Sequence, residues 1–431
     1  VKTRTQKVLA QLRDYEAANL LWIAPDGSWP IVWEQAWGVE VRDAEGRLYL
    51  DLTAAFGVAA AGHANPRVVA AGQRQMAKLL HAMGDVHPPA VKAQLARELS
   101  RLTFERWSSR KTRGKVIFAN SGFEAVETAL KTAMLATGRK NIVAFTGAYH
   151  GLGYGALNAT HRRYFRAPFQ SQLGRFGKFV RFPRESDDLA GTEKQISRLL
   201  RSGKFGAVLA EPIQGRGGVN VPPPGFLPLL RKLCDRHGAL LILDEIFTGL
   251  GRTGQWFACE HSRTVPDLVC LGKALTGGFP LSACVGRAAL MDAAWPASHG
   301  EAMHTSTFQG HPVGCAMALA QIAEIGRLKL VERSRDRGEF LLRELRSKVS
   351  VPGHRVEARG RGLMIGLEIK TVAGRPATEL VLDAVKKMLH RGFILLPEGE
   401  FGNVISFSPP LTISKSSLSA AVAALGEVLR A

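Results

Sequence analysis

The stretch ALLILDEIFTGLGRTG, residues 239–254, sets five apolar residues in a row, then Asp244, Glu245 and a glycine-rich turn. A short apolar run closed by glycines reads as a strand buried on both faces, the habit of parallel sheets. The same grammar recurs on either side, in KVIFAN (115–120), NIVAFTG (141–147), KFVRF (178–182), GAVLAEP (206–212), DLVCLGK (267–273) and LSACVG (281–286). Glycine-containing turns and helix-compatible segments separate these runs. The alternation predicts an α/β architecture, a mostly parallel central sheet flanked by helices, in which ligands bind beyond the carboxyl ends of the strands.

Outside this core, GVEVRDAEGRLYLDL (38–52) reads as a hairpin with its turn at Asp43 to Gly46. A long amphipathic stretch at 313–349 leads to a strand in GLMIGLEI (362–369). The two terminal portions, 1–64 and 331–431, are expected to form a smaller α+β domain beside a large domain at 65–330. No Pro/Gly/Ser-rich linker marks the boundary.

Composition narrows the function classes. The chain has 431 residues, 46% hydrophobic and 22% charged, enough for a sizeable core. No apolar run is long enough to span a membrane. The opening VKTRTQKVLAQLRDYEAANL carries charges throughout and lacks the apolar block of a signal peptide, so the expectation is a cytoplasmic protein with no membrane partner. Five cysteines, an odd number with no CxxC pair, read as free thiols in a reducing compartment and offer no metal site. A net charge of +20 raises nucleic-acid binding, but the basic residues are dispersed, with only short clusters in SSRKTRGK (108–115) and HRRYFR (161–166). No nucleic-acid-binding module is present, and the charge reads as solubility or weak attraction for anions.

The strand ends carry unusual residues. Ser121 and Gly122 open a helix after KVIFAN, where free N–H groups and a hydroxyl suit a phosphate, although a plain helix cap reads the same way. Tyr149 and His150 follow NIVAFTG, where an aromatic either stacks on a flat cofactor or packs in the core. Glu211 ends GAVLAEP as a structural partner or a site residue. Asp244 ends an apolar strand, where its carboxylate needs a cationic or donor partner, either an ordinary ion pair or a protonated pyridine nitrogen. In CLGKALTGGFPLSACVG (270–286), Lys273 sits between two buried strands and before Gly277 and Gly278. Desolvation there lowers its pKa and exposes a neutral amine, the form that attacks carbonyls. Together these residues supply the contacts that pyridoxal phosphate requires.

With those residues in view, the chain resembles the class III aminotransferases, the fold type I pyridoxal-phosphate group that includes ornithine, 4-aminobutyrate and ω-amine transaminases. The resemblance runs through GRLYLDL, GHANPRV, NSGFEAVETALK, GAYHG, EPIQGRGGV, LILDEIFTGLGRTG, LGKALTGGFP, TFQGHPVGCA and NVISFSPPLTI. It implies that Lys273 holds the cofactor aldehyde as a Schiff base and shuttles a proton, that Asp244 keeps the pyridine nitrogen protonated, and that Tyr149 stacks on the ring. It implies further cofactor contacts from Ser121, Gly122, Phe123, Glu211 and Ile246, and from Thr307 to the phosphate of a neighbouring subunit. A homodimer with shared active sites follows from Thr307.

Departures from the family pattern bear on the substrate. Ser406 stands where 4-aminobutyrate and ornithine enzymes resemble one another in an arginine that grips a carboxylate, and Leu152 where 4-aminobutyrate enzymes have a second one. Glu211 resembles the partner of the missing arginine. A serine cannot make the bidentate charged pair. Trp29, Phe56 and Tyr154 are further expected pocket residues. The expectation is a donor amine without a carboxylate near the reacting carbon, aliphatic and long. The acceptor is a keto acid, pyruvate first, its carboxylate met by Arg162, Arg163 or Arg166. The alternatives are an ω-amino-acid transaminase, an aminomutase or racemase of the same fold, or a basic interaction protein that has lost activity. Retention of both Lys273 and Asp244 argues against the last.

Overall fold

The computed structural model describes residues 2–109, 111–186 and 188–430. At its centre lies a seven-stranded sheet in the spatial order Gly177–Val180, Asn141–Phe145, Phe205–Ala210, Leu240–Asp244, Leu268–Leu271, Ser282–Arg287, Gly114–Ala119. Ser282–Arg287 runs antiparallel to both its neighbours, and the other pairs are parallel. These are the seven apolar runs of the sequence. Every residue of the three central parallel strands is buried. Their side chains alternate between two cores, Val208, Leu241 and Val269 facing one, Leu209, Ile242 and Leu268 the other. Continuous hydrophobicity is what a strand covered on both faces demands.

The chain termini meet beside this sheet. Leu48–Asp51, the second arm of the predicted hairpin, pairs antiparallel with Glu40–Asp43 and parallel with Phe393–Ile394 near the other end of the chain. His354–Arg361, Met364–Thr371, Val404–Phe407 and Leu396–Glu398 form a separate antiparallel sheet. The amphipathic stretch is two helices, Pro312–Arg327 and Leu330–Lys348, broken where Lys329 adopts a left-handed φ of 51°. All five cysteines are free and buried. Among the described residues no helix is long and apolar enough to cross a membrane, and no cluster of His, Cys, Asp or Glu is placed to hold a metal.

A charged knot ties the C-terminal sheet to the central one. Glu368 meets Arg359 at 2.7 Å, Arg184 at 2.9 Å and Lys370 at 3.0 Å. Burial alone would raise this carboxyl, but the three cations override it and hold it at about 2, against an ordinary 4.5. A depressed carboxylate stabilises the fold above its unfolded pKa and loses that contribution as pH falls through the folded one. The ceiling is about 3 kcal/mol, reduced because Arg184 is 37% exposed. Glu368→Gln is therefore expected to lower the melting temperature at pH 7 and to match the wild type near pH 2. An equal deficit at both pH values would assign the effect to packing.

Candidate active site

The carboxyl ends of the parallel strands converge on one cavity of about 440 Å³. Asp244 closes Leu240–Asp244, Glu211 follows Phe205–Ala210, and Tyr149 and His150 follow Asn141–Phe145. Gly122 and Phe123 begin the helix after Gly114–Ala119, and Lys273 stands two residues past Leu268–Leu271. All of these line the cavity, together with Leu152 and Ile246. A doubly wound sheet gathers them because its parallel strands all end on the same side.

Asp244 is 5% exposed. One carboxylate oxygen lies 2.8 Å from His150 Nδ1, and the other accepts the Ile246 N–H at 3.1 Å. The second ring nitrogen of His150 is buried with no protein partner among the described residues. Glu211 holds two turns together, accepting the Tyr149 N–H at 3.0 Å and the Gly215 N–H at 2.9 Å. Burial pushes its carboxyl up to about 7, with nearby His150 opposing and Asp244 adding to the rise. Glu211 thus has backbone partners, and the absence of an arginine at position 406 does not strand it.

Lys273 adopts φ +26°, a region costly for a residue with a Cβ, and such strain is concentrated where function requires a fixed direction. Its Nζ lies 3.9 Å from the centre of the Phe247 ring. Burial lowers the ammonium pKa to about 8, although the carboxylates of Asp244, Glu211 and Glu398 pull it upward. The Tyr149 ring meets Phe165 edge-on at 5.7 Å and lies under the Arg216 guanidinium at 5.2 Å. The cavity fits pyridoxal phosphate: a buried carboxylate and a partly desolvated lysine share one chamber beside an aromatic. A Cβ on Gly122 would come within 3.1 Å of Ile246.

Several expected residues lie elsewhere. Glu124 reaches back to the N–H groups of Asn120 at 2.9 Å and Ser121 at 2.7 Å, and to the Ser121 hydroxyl at 3.0 Å. Ser121 is therefore engaged by its own helix, and Gly122 and Phe123 form the cavity wall. Tyr154 bonds Gln172, packs on Phe169 at 6.0 Å and lines none of the three chambers described here. Thr307 is exposed and outside all three.

Ser406 and Phe56 line a second chamber of about 220 Å³, which shares Tyr149, Arg216, Phe247 and Lys273 with the first. Trp29 lines a third of about 290 Å³, with Trp22, Phe56, Arg216 and Glu398. Arg162 donates to the Glu400 carbonyl at 2.9 Å, and Arg166 lies over Phe179 at 4.8 Å. Neither they nor Arg163 line these chambers. The arginine that does is Arg216, which sequence reasoning passed over although EPIQGRGG displays it between two glycines. Glu398 was also missed, because only the pairing of Leu396–Glu398 with Val404–Phe407 brings it to the site.

Comparison with known proteins agrees with the fold. The 5-aminovalerate aminotransferase DavT of Pseudomonas aeruginosa is 38% identical over 412 residues, covering 92% of this chain and 93% of that protein. The putrescine aminotransferase of Pectobacterium atrosepticum is 36% identical over 437 residues, covering 99% and 89%. A crystal structure of an amine transaminase from an uncultivated Pseudomonas species, in its pyridoxal-phosphate-bound form, superposes with a TM-score of 0.86 at 29% identity, covering 96% of this chain and 99% of that one. The profile of the family described as aminotransferase class-III matches residues 23–429, so this chain belongs to that family and is a pyridoxal-phosphate-dependent aminotransferase that passes an amino group from a donor amine to a keto acid.

Proposed function

We propose that the enzyme is an ω-amine transaminase whose donor is a terminal primary amine on an aliphatic chain and whose acceptor is pyruvate. The observation that carries this reading is the chamber beside Lys273, where Ser406 stands in the wall and one acid, Glu398, accompanies one arginine. Ser406, Ser408, Thr53 and Phe56 face it, and Arg216 is its one arginine among the described residues. An aliphatic amine enters such a space without leaving a charged group unpaired. One guanidinium serves one carboxylate, which favours pyruvate over a dicarboxylic acceptor. The putrescine aminotransferase named above supports a donor lacking a carboxylate. The 5-aminovalerate enzyme, together with Arg216, supports a second reading in which the donor is an ω-amino acid.

In the proposed roles, pyridoxal phosphate supplies an electron sink for the carbon that loses its proton. Lys273 is the residue whose Nζ would hold the cofactor aldehyde between substrates and would carry the proton to and from the amine-bearing carbon. Asp244 keeps a proton on the pyridine nitrogen, and His150 fixes the orientation of that carboxylate. Tyr149 would stack on the ring, and the amides of Gly122 and Phe123 would hold the phosphate at a helix start. Phe308 and Met303, 54% and 68% exposed on the segment that carries Thr307, support a homodimer in which Thr307 reaches the neighbouring site.

Holoenzyme mixed with a single donor and no keto acid reports the first half of the reaction as loss of visible absorbance. Putrescine and butylamine are expected to bleach it at least ten times faster than 4-aminobutyrate or ornithine, on the scale of about 1.4 kcal/mol. Faster bleaching by 5-aminovalerate than by putrescine would favour the second reading. Bleaching confined to 4-aminobutyrate and ornithine would likewise favour the second reading, and bleaching by none of these donors would defeat both.

A further inference from the structure

Phe247 stands where the first two chambers meet, and its ring is clamped there. A Cβ on Gly57 would lie 2.5 Å from one edge of that ring and a Cβ on Gly215 2.4 Å from the other, so two glycine backbones close on it. The chain on either side of Phe247 is fixed as well. Asp244 accepts the Ile246 N–H at 3.1 Å, and the Thr248 hydroxyl donates to Glu245, a 1% exposed carboxylate that also takes the N–H groups of Ala258 at 3.0 Å and Cys259 at 2.8 Å. Lys273 rests on the face of this fixed ring. Its Nζ stands 3.9 Å from the centre, well within the range at which the negative face of an aromatic attracts an ammonium. The charges around Nζ are those of Asp244, Glu211 and Glu398, which favour its ammonium form, and of Arg216, which opposes it. None of them forms a hydrogen bond or ion pair with it among the described residues.

Resting on the proton-transfer role proposed for Lys273 above, we propose that Phe247 is a positioning residue, an aromatic seat that receives the Lys273 amine whenever it is free and stabilises it as an ammonium. When Nζ takes up a proton it changes from neutral to charged inside a cavity that disfavours charge. The ring face offsets that penalty, and it has no acceptor atom that would capture the proton. Because the glycines hold the ring from both edges, the seat stays in place while substrates are exchanged.

The test uses enzyme loaded with pyridoxamine phosphate, in which Lys273 is free. Limited acetylation with acetic anhydride, read at Lys273 by peptide mass spectrometry across a pH series, follows the neutral amine without turnover. Replacing Phe247 with trifluorophenylalanine keeps the shape of the ring and removes negative charge from its face. The labelling midpoint is expected to fall by about one pH unit, so that labelling at about pH 6 rises roughly tenfold while the rates above about pH 9 converge with the wild type. A midpoint left unchanged or raised overturns the proposal. So does an equal gain in labelling at every pH, which would report easier access to the cavity. The pyruvate half-reaction of the same enzyme shows the same shift in its acid limb when Lys273 carries the proton. A shift in labelling with none in the half-reaction would leave the seat standing and remove the proton-transfer role from Lys273.

Discussion

Lys273→Ala is expected to reduce turnover by at least about 10²- to 10⁴-fold, the range lost with a positioned proton-transfer group, with a melting temperature close to that of the wild type. The physical reason is placement. Lys273 stands at the end of a buried strand, in a cavity with two buried carboxylates, and burial lowers its pKa to about 8. At pH 7 about one-tenth of such a lysine is neutral, against a few parts in ten thousand at the ordinary 10.5. Capture of the cofactor aldehyde by protein stripped of it is therefore expected to accelerate about tenfold per pH unit from pH 6 and to flatten above about 8. Stopped-flow absorbance measures that rate, and a rise continuing past pH 10 would show that the lysine behaves as a solvated one. Steady-state kinetics and circular dichroism decide the first claim. Substantial residual turnover in Lys273→Ala would move the proton-transfer role to another group.

Asp244→Asn is the second large loss, on the order of 10²- to 10³-fold in kcat, matching the cost of removing one partner from a buried charged pair. The amide keeps the shape and can still accept the Ile246 N–H, so the backbone turn should survive. It carries no charge to hold a proton on a pyridine nitrogen, and it leaves His150 without its carboxylate. His150→Asn is expected to show a smaller defect of the same kind, since that ring acts through Asp244. A fall confined to KM, with kcat intact, would mean that Asp244 only anchors the cofactor.

Much of this could be read along the chain. The three central parallel strands announced themselves because burial on both faces requires an unbroken apolar run, and the charged residues following them marked the cavity rim. Asp244 and Lys273 were legible for that reason: a charged side chain directly after ALLIL or LVCLG has nowhere to go except the sheet edge. For Ser121 the sequence left two readings open, because a capping serine and a phosphate-binding serine look alike, and the structure shows its hydroxyl bonded to Glu124. Arg216 and Glu398 are separated by more than 180 positions, and no periodicity links a turn after one sheet with a strand of another. The N-terminal segment gave no sign of its destination, yet Trp22 and Trp29 wall the outer chamber.

The way these chambers are assembled bears on how the enzyme can diversify. The residues beside Lys273 come from strand ends of the central sheet, where each is fixed by a buried core. The outermost chamber is built largely from the two ends of the chain, Trp22, Trp29 and Phe56 from one, Leu382, Val385 and Leu396 from the other. In the proposed reading, substitutions there would remodel the space around the far end of a substrate without disturbing the central strands. New amines can thus be recruited by altering the periphery, while the reactive centre is inherited unchanged.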